Sequence, residues 1–364
     1  MKGGIEKRRY VIMKALAKNK KNEMHMFTMF REGMPGMEFM HEGVHYHCIG
    51  KATAINKMYK KGKRRSIMFS LRFATLVFNG LRRYKFDIVD TDNMPYLHLF
   101  PIYMYCKLSK ARFACTWHEV WSRHFWNEYM GAPGSVIGYS VSRAGASLPK
   151  YHIANCSTTK QQLEKEFKIK PDRISVLPAA VDADEMRRLN RMKRPKVQDK
   201  FIVINRLIRH KRPEIAIRAM KKIDAKLVVV GAGPELEMLR KLVNDEGLER
   251  KVTFKQNLSE KELFYELITS KALLMPSQRE GLSLATAEAL SLGVPVAIVD
   301  TTMLPKEIRK YCLEEKEQRF HMLVNKILKN YEYYGKRSLA MRDMAISEFS
   351  GDTAEDVYGR IMSG

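Results

Sequence analysis

The stretch that decides the fold is 275–295, which reads MPSQREGLSLATAEALSLGVP. It begins inside a short apolar run, 271–276, which predicts a strand. Ser283 suits the N-cap position of a helix over 284–292, and Gly293 suits the stop of that helix. A strand, a turn and a helix in immediate succession are the unit from which parallel α/β sheets are built.

Two carboxylates in this stretch, Glu280 and Glu288, lie eight positions apart. The predicted elements put Glu280 in the turn at the carboxyl end of the strand, and Glu288 about a turn and a half into the helix. The N-terminus of a helix offers free backbone N–H groups to an anion. Two acids beside such a terminus suit a ligand that carries both hydroxyl groups and phosphate.

The rest of the chain alternates between strands and helices in the same way. In the second half, strands are predicted at 200–207, 226–231, 252–256 and 295–300, and helices at 213–223, 234–246 and 260–270. In the first half, strands are predicted at 23–30, 44–49, 86–90, 112–117, 151–156 and 174–178, and helices at 5–18, 66–83, 134–146 and 158–167. This alternation predicts parallel sheets that are covered by helices on both faces.

The length of 364 residues suits two domains of ordinary size. We predict a first domain over 1–190, a linker over 191–199, a second domain over 200–345, and a C-terminal helix over 346–364 that returns to the first domain. The glycine turn formed by Gly3 and Gly4 opens a helix, and such a turn normally follows a central strand. The first strand of the first domain is therefore predicted to be missing from this sequence.

The charge of the chain points to anionic partners. The sequence has 65 Lys and Arg against 40 Asp and Glu, a formal net charge of +25. Such a charge attracts nucleotide phosphates, nucleic acid or an anionic membrane face, and it does not choose among them. The basic and apolar segment 57–83 either lies on an anionic membrane or forms a core helix with solvated flanks. No aromatic–basic recognition motif accompanies the charge, which argues against nucleic acid.

The cysteines and the apolar runs indicate the compartment. The five cysteines include no Cys-x-x-Cys pair, which predicts reduced thiols, with no zinc site and no disulfide framework. The sequence has neither an apolar run of about 18 residues nor an apolar N-terminal signal region. We therefore expect a cytoplasmic protein with, at most, peripheral contact with the inner face of the membrane.

Seven landmarks in the right order make the chain similar to glycosyltransferase family 4, the retaining enzymes of the GT-B fold. The strongest is Glu280-x7-Glu288 within PSxxEGxxLxxxEAxxxGxPV. The others are Gly3-Gly4-x-Glu6, Asp87-Ile-Val-Asp90, Thr116-Trp-His118-Glu119-Val, Ile174-Ser-Val-Leu-Pro178-Ala-Ala-Val-Asp182, Arg206-Leu-x-x-x-Lys211 and Val230-Gly-Ala-Gly-Pro234. The resemblance covers most of the chain. It implies two Rossmann-like, doubly wound parallel-sheet domains that face each other across a cleft.

The resemblance implies roles in donor binding for residues of the second half. By this likeness, Arg206 and Lys211 bind the diphosphate of the donor. Glu280 contacts the hydroxyls of the donor sugar, and Glu288 holds the ribose. The backbone N–H groups of 281–283, that is Gly281, Leu282 and Ser283, point at the sugar.

In the first half, the resemblance implies that Gly3 and Gly4 approach the phosphates and that His118 lies near the reacting sugar. His118 also sits among aromatic residues, so a core histidine is the alternative. One of the chain's departures from the family comes after Asp300. The segment 301–308 is expected to lead into polar helix, without the further short strand that the family has after this point.

The implied activity is retaining transfer of a sugar from a nucleotide-diphosphate sugar to a hydroxyl of a glycan or a lipid-linked acceptor. The nucleotide sugar is a co-substrate, and neither a cofactor nor a metal is expected, because basic side chains serve the diphosphate. Two alternatives stay open. One is a non-catalytic relative that binds sugar nucleotides or polyanions, and the other is a GT-B-type sugar-nucleotide epimerase.

Overall fold

The computed structural model describes residues 4–52, 59–60, 64–65 and 67–364. The chain forms two compact units. The first unit runs to Ala179 and also includes Gly351–Gly364, and the second unit is Ala180–Ser350.

The strands of the first unit are β1 (Met24–Phe30), β2 (Glu38–His41), β3 (Val44–Lys51), β4 (Tyr59–Lys60), β5 (Arg64–Arg65), β6 (Ile88–Asp92), β7 (Arg112–Trp117), β8 (Tyr151–Ala154) and β9 (Ile174–Val176). Those of the second unit are β10 (Lys200–Ile204), β11 (Lys226–Val230), β12 (Val252–Lys255), β13 (Ala272–Met275), β14 (Val296–Val299) and β15 (Leu313–Glu315).

The first unit contains the helices α1 (Gly4–Ala17), α2 (Ile67–Leu81), α3 (Leu99–Ser109), α4 (Arg123–Met130), α5 (Gly134–Ser147) and α6 (Ser157–Phe167). The second unit contains α7 (Ala183–Arg191), α8 (Pro213–Ala219), α9 (Leu236–Asp245), α10 (Glu260–Ile268), α11 (Leu284–Ser291), α12 (Lys306–Arg309), α13 (Phe320–Lys329) and α14 (Tyr331–Phe349). The last helix, α15 (Ala354–Ser363), belongs to the first unit.

The sheet of the second unit is parallel throughout and has the order β12-β11-β10-β13-β14-β15. The chain builds outward from β10 in one direction and then returns to build from β13 in the other. The order therefore reverses between β10 and β13, and in open α/β sheets ligands bind at the carboxyl ends of strands at such a switch point.

Both faces of this sheet are buried, which explains its apolar strands. Along β10, Ile202 packs into one core cluster, while Phe201 and Val203 pack into the cluster on the opposite face. Adjacent residues of a strand point to opposite faces, so a sheet with helices on both sides needs an unbroken apolar run.

The first unit has a parallel sheet of order β6-β7-β8-β9 and a separate sheet of order β1-β3-β2. Asp92 of β6 pairs with Thr116 of β7, and Trp117 pairs with Ala154 of β8. The carboxyl ends of these strands are thus level with one another. Among the described residues, no strand precedes α1, and β1 and β6 lie in different sheets.

The C-terminal segment packs on the first helix of the chain. Val357 and Ile361 of α15 share an apolar cluster with Val11, Ile12 and Leu16 of α1. The chain passes into this segment after Ser350, at the end of α14, whereas the sequence put that change at residue 346.

Two local predictions from the sequence were wrong. The sequence put the linker at 191–199 and the start of the second domain at residue 200, but the second unit begins at Ala180 and includes α7. The Asp182 carboxylate accepts hydrogen bonds from the backbone N–H groups of Asp184 and Glu185 at 3.1 and 3.2 Å, so it caps a helix that a basic composition had hidden.

The second error concerns the end of the parallel sheet. After α12 the chain does form a further short strand, β15, which pairs with β14. The sequence did not predict this strand, because Leu313-Glu-Glu315 is polar. An edge strand can leave its side chains in water and so needs no apolar run.

Two glycines that follow β11 lie against the backbone of the loop after β10, and replacing one of them should lower stability. A Cβ on Gly233 would lie 2.2 Å from the Leu207 carbonyl oxygen, and one on Gly231 would lie 1.9 Å from that of Asn205. We expect Gly233→Ala to lower the free energy of unfolding by about 1–3 kcal/mol, because backbone must move. Denaturant unfolding would measure this. Gly359→Ala, where a Cβ meets open space, is the matched control and should not destabilise. An unchanged midpoint for Gly233→Ala would contradict the prediction.

Candidate active site

The second unit brings two predicted site residues into direct contact. Lys211 Nζ lies 2.6 Å from Glu280 Oε2, and the two side chains are only 14% and 7% exposed. Lys211 follows β10 and Glu280 follows β13, and these strands pair side by side. The ion pair therefore lies at the switch point of the sheet, where ligands of this type of sheet bind.

Backbone hydrogen bonds hold the turn that carries Glu280. The Gln278 N–H donates to the His210 carbonyl at 2.8 Å, which joins this turn to the loop after β10. The Glu280 N–H donates to the Met303 carbonyl, and the Met303 N–H donates to the Gln278 carbonyl, each at 2.9 Å. The position of Glu280 is thus set by the main chain on both sides, which suits a residue that must orient a ligand.

The loop after β10 is strongly basic, and His210 reports its electrostatics. The pKa of His210 is lowered, first by burial and next by the positive charges of Lys211 and Arg279. Arg206 adds a smaller effect in the same direction, and Glu280 opposes it. These groups therefore share one electrostatic environment around His210, in which basic side chains outnumber the Glu280 carboxylate. A bound anion would be stabilised there.

Arg206 itself lies in this loop and is exposed. The loop is anchored one residue later, where the Leu207 N–H donates to the Ala232 carbonyl at 2.9 Å. The backbone beside Arg206 is thus held in place. The contact of Arg206 with a diphosphate stays a prediction.

The start of α11 differs from the prediction in one contact. Ser283 occupies the N-cap position, but its side chain does not cap the helix. Its backbone is left-handed, with φ +54°, and its Oγ lies 2.9 Å from Thr286 Oγ1 instead. A capping residue normally has an extended backbone that aims its oxygen at the N–H groups of the first turn. The turn from Gly281 to Ser283 leads into α11 and contains the buried Leu282. The Ser283 side chain does not cap the helix that follows.

Glu288 lies in the second turn of α11 and is buried, with 4% exposure. A carboxylate is seldom buried to this degree unless another group pairs with it. Its predicted role at a ribose stays a prediction. Gly293 ends the helix as expected, with φ +65°.

In the first unit, His118 directly follows β7 and makes a close contact with Asp92. His118 Nε2 lies 2.8 Å from Asp92 Oδ1, and Arg9 Nη2 donates to the same oxygen at 2.6 Å. Burial alone would raise the pKa of Asp92, but the charges of Arg9 and His118 outweigh burial and hold that pKa well below its usual value. Because Asp92 is therefore ionised, it accepts the proton on Nε2, and Nδ1 faces elsewhere.

A second carboxylate on the same strand holds Arg9 in place. Asp90 pairs with Arg9 and accepts a hydrogen bond from Tyr358 of α15. Thr116 Oγ1 also donates to it, at 2.9 Å. His118 lies at the end of this chain of polar contacts, with its side chain 14% exposed, and its role near the reacting sugar stays a prediction.

The glycine turn of the first unit is only partly described. Gly3 lies outside the described residues, and Gly4 is the exposed first residue of α1. Their predicted approach to phosphates stays a prediction.

Sequence reasoning missed Asp92, Arg9 and His210. The pattern Asp90-x-Asp92 at the end of a strand puts two carboxylates on one face, and this signal could have drawn attention to Asp92. The partner Arg9 comes from a helix distant in sequence, and no local pattern points to it. His210 is hidden among the basic residues of its loop.

Among the described residues, no group of three or more His, Cys, Asp or Glu side chains is arranged to hold a metal ion. No helix in the described part of the chain is long and apolar enough to cross a bilayer.

Comparison with known proteins identifies related structures. A solved sucrose-phosphate synthase from Thermosynechococcus elongatus superposes with a TM-score of 0.74, at 17% identity, over 99% of this chain and 93% of that one. Anabaena HepE in complex with UDP gives a TM-score of 0.70 at 12% identity, over 100% and 97% of the two chains. These likenesses show that the fold is GT-B.

Among curated sequences, a GDP-mannose-dependent alpha-(1-6)-phosphatidylinositol monomannoside mannosyltransferase of Mycobacterium tuberculosis is 30% identical over 155 residues. The match covers 37% of this chain and 40% of that protein. The chain spans less than half the length of the curated relatives that it matches.

The family profiles match nearly the whole chain in two adjoining parts. The profile described as Glycosyltransferase Family 4 matches residues 2–185, and the profile described as Glycosyl transferases group 1 matches residues 187–343. The first of these alone spans half of the chain. The chain therefore belongs to glycosyltransferase family 4.

Proposed function

We propose that the protein transfers a glycosyl group from a nucleotide-diphosphate sugar to an acceptor hydroxyl, with retention of the anomeric configuration. The observation that carries the proposal is the Lys211–Glu280 ion pair at the switch point of the second sheet. A basic loop on one side and the start of α11 on the other suit a ligand that carries a diphosphate and hydroxyl groups.

The barrier to the reaction is the departure of the diphosphate, which gains negative charge as the sugar gains positive charge. In the proposal, Lys211, Arg206 and the backbone N–H groups at the start of α11 stabilise the leaving group. Each well-placed donor of this kind contributes roughly 3–4 kcal/mol to transition-state stabilisation. The proposal uses basic side chains for this task and needs no metal.

Glu280 orients the sugar in this scheme. Its carboxylate oxygens, one of which pairs with Lys211, accept hydrogen bonds from sugar hydroxyls. Glu288 holds the ribose, and the backbone N–H groups of Gly281, Leu282 and Ser283 face the sugar.

The first unit supplies His118 near the reacting sugar and the turn at Gly3 and Gly4 near the phosphates. In the proposal, Asp92 accepts the Nε2 proton of His118, and the lone pair of Nδ1 is offered to the substrate. The contact between Nε2 and Asp92 supports this orientation of the ring.

The acceptor in the proposal is a glycan or a lipid-linked hydroxyl. The mycobacterial relative is named for transfer to a phosphatidylinositol monomannoside, which supports a lipid-linked acceptor. A cytoplasmic location is also proposed, because all five cysteines are free thiols, which persist in reducing compartments.

The test is a donor panel with product analysis. The protein is incubated with UDP-, GDP- and ADP-linked hexoses, with and without hydroxyl acceptors, and the products are followed by mass spectrometry and proton NMR. We expect one donor to release nucleoside diphosphate and to yield a glycoside with the donor's anomeric configuration.

The same experiment separates the alternatives. Tight binding of a donor with no turnover would indicate a non-catalytic relative. Release of free or epimerised sugar without any need for an acceptor would indicate an epimerase, and an inverted glycoside would overturn the retaining mechanism.

A further inference from the structure

Two neighbouring helices of the first unit, α2 and α3, share one core. Val77 of α2 and Ile102 of α3 are buried in the same apolar cluster. The rings of Phe73 and His98 meet at 5.4 Å between centroids, near the start of α3. Since the inner sides of both helices face one core, their outer sides point away from it.

Those outer sides carry large apolar side chains in water. On α3, Phe100, Met104 and Leu108 recur every four residues and are 37%, 50% and 75% exposed. A spacing of four puts them on one face of the helix. On α2, the exposed apolar residues are Ile67 (64%), Met68 (72%) and Leu71 (49%). We call these six residues the apolar face. Several large apolar side chains exposed on two neighbouring helices indicate an interaction surface.

The two chain segments that carry the apolar face contain basic residues and no acidic ones. The sequence contains no Asp or Glu from residue 51 to residue 86, nor from residue 93 to residue 118. Basic residues on or beside α2 and α3 are exposed: Arg72, Arg82, Arg83, Lys85, Lys107 and Lys110. In a chain with 40 acidic residues, such a stretch is unusual. All charged residues of the two helices that carry the apolar face are therefore cations.

We propose that the apolar face is a docking surface for an anionic lipid bilayer. An interfacial membrane site combines apolar side chains, which enter the headgroup and acyl boundary, with flanking Lys and Arg, which pair with anionic headgroups. The face matches both requirements. The inference goes beyond the transfer reaction and does not depend on it.

Nucleic acid is the other polyanion that the charge would attract, but it fits the surface less well. Phosphates would engage the flanking cations and would leave Met68, Met104 and Leu108 without a partner. A bilayer uses both parts of the surface. Part of the segment 57–83, which the sequence singled out for membrane contact, lies outside the described residues, and the inference rests on α2 and α3.

Vesicle co-sedimentation tests the proposal with the full chain. The vesicles are pure phosphatidylcholine, or phosphatidylcholine with about 30 mol% phosphatidylglycerol. We expect the wild type to bind the anionic vesicles at least about tenfold more tightly than the neutral ones. We expect the double variant Met104→Glu with Leu108→Glu to lose at least about tenfold in affinity for the anionic vesicles.

The matched control is Met322→Glu with Met344→Glu in the second unit. Both of these methionines are 55% exposed, and the control changes the net charge by the same amount. It should bind like the wild type. A further variant, Met104→Gln with Leu108→Gln, keeps the charge and should also bind more weakly, because it removes only apolar surface. Circular dichroism would verify that each variant is folded.

Several results would overturn the proposal. Equal binding to neutral and anionic vesicles would show that the cations do not contribute to binding. Equal loss in the α3 variant and the control would show that charge alone governs binding. Full binding by the Gln variant would remove the role of the apolar face, and tighter binding to an RNA or DNA oligonucleotide, unaffected by these variants, would identify nucleic acid as the partner.

Discussion

Lys211→Met and Glu280→Gln are each expected to reduce the turnover number for sugar transfer by about 10²–10³-fold. In the proposed mechanism, the first removes a cation that stabilises the leaving diphosphate, and the second removes the carboxylate that orients the sugar. Because the two side chains are in contact, we expect the double variant to lose less than the product of the single losses. Steady-state kinetics with the productive donor would measure all three.

The control for this prediction is a second buried ion pair in the same unit. Lys200 Nζ lies 2.6 Å from Glu266 Oε2, with side-chain exposures of 7% and 12%. Lys200 begins β10, at the opposite edge of the sheet from the candidate site. Lys200→Met should therefore lower stability without reducing turnover. If it reduces turnover as much as Lys211→Met does, the losses reflect folding and the assignment of Lys211 is wrong.

Asp92→Asn is expected to lower turnover by roughly 10²-fold, with a much smaller change in KM. The amide of asparagine can donate to Nε2 of His118, which would move the proton to Nδ1 and block the lone pair that the proposed mechanism uses. Asp92 acts through His118, so combining Asp92→Asn with His118→Ala should cost no more than His118→Ala alone. The ring-nitrogen chemical shifts of His118 would report the tautomer directly.

Asp87→Asn provides the comparison for that experiment. Asp87 is exposed and precedes β6, while Asp92 ends it, so the same substitution is made at the other end of the strand. Asp87→Asn should leave turnover unchanged. Additive losses from Asp92→Asn and His118→Ala would show that Asp92 acts independently of His118 and would contradict the positioning role.

Local pattern was enough to predict most of the fold. The run 271–276 and the helix over 284–292 are confirmed as β13 and α11, and the alternation predicted the other strands of the second sheet up to β14. Parallel strands buried on both faces need long apolar runs, so they are visible in a sequence. The polar edge strand β15 and the basic helix α7 form without long apolar runs, so the sequence pattern did not predict either of them.

The candidate site was predictable where its residues follow strands. Lys211 and Glu280 each come directly after an apolar run, and adjacent parallel strands bring such positions together. The Arg9–Asp92–His118 contacts were not predictable, because they join a helix and two strands that are far apart in sequence. The missing cap at Ser283 depends on a left-handed backbone, which the residue type does not reveal.

The central claim is that an anionic nucleotide sugar binds at the carboxyl ends of β10 and β13, beside Lys211 and Glu280. A crystal structure of the protein with a bound nucleoside diphosphate tests it most directly. The account predicts an oxygen of the terminal phosphate within about 3 Å of Lys211 Nζ or of the Arg206 guanidinium. A diphosphate bound elsewhere, with Lys211 and Arg206 both out of contact, would contradict it.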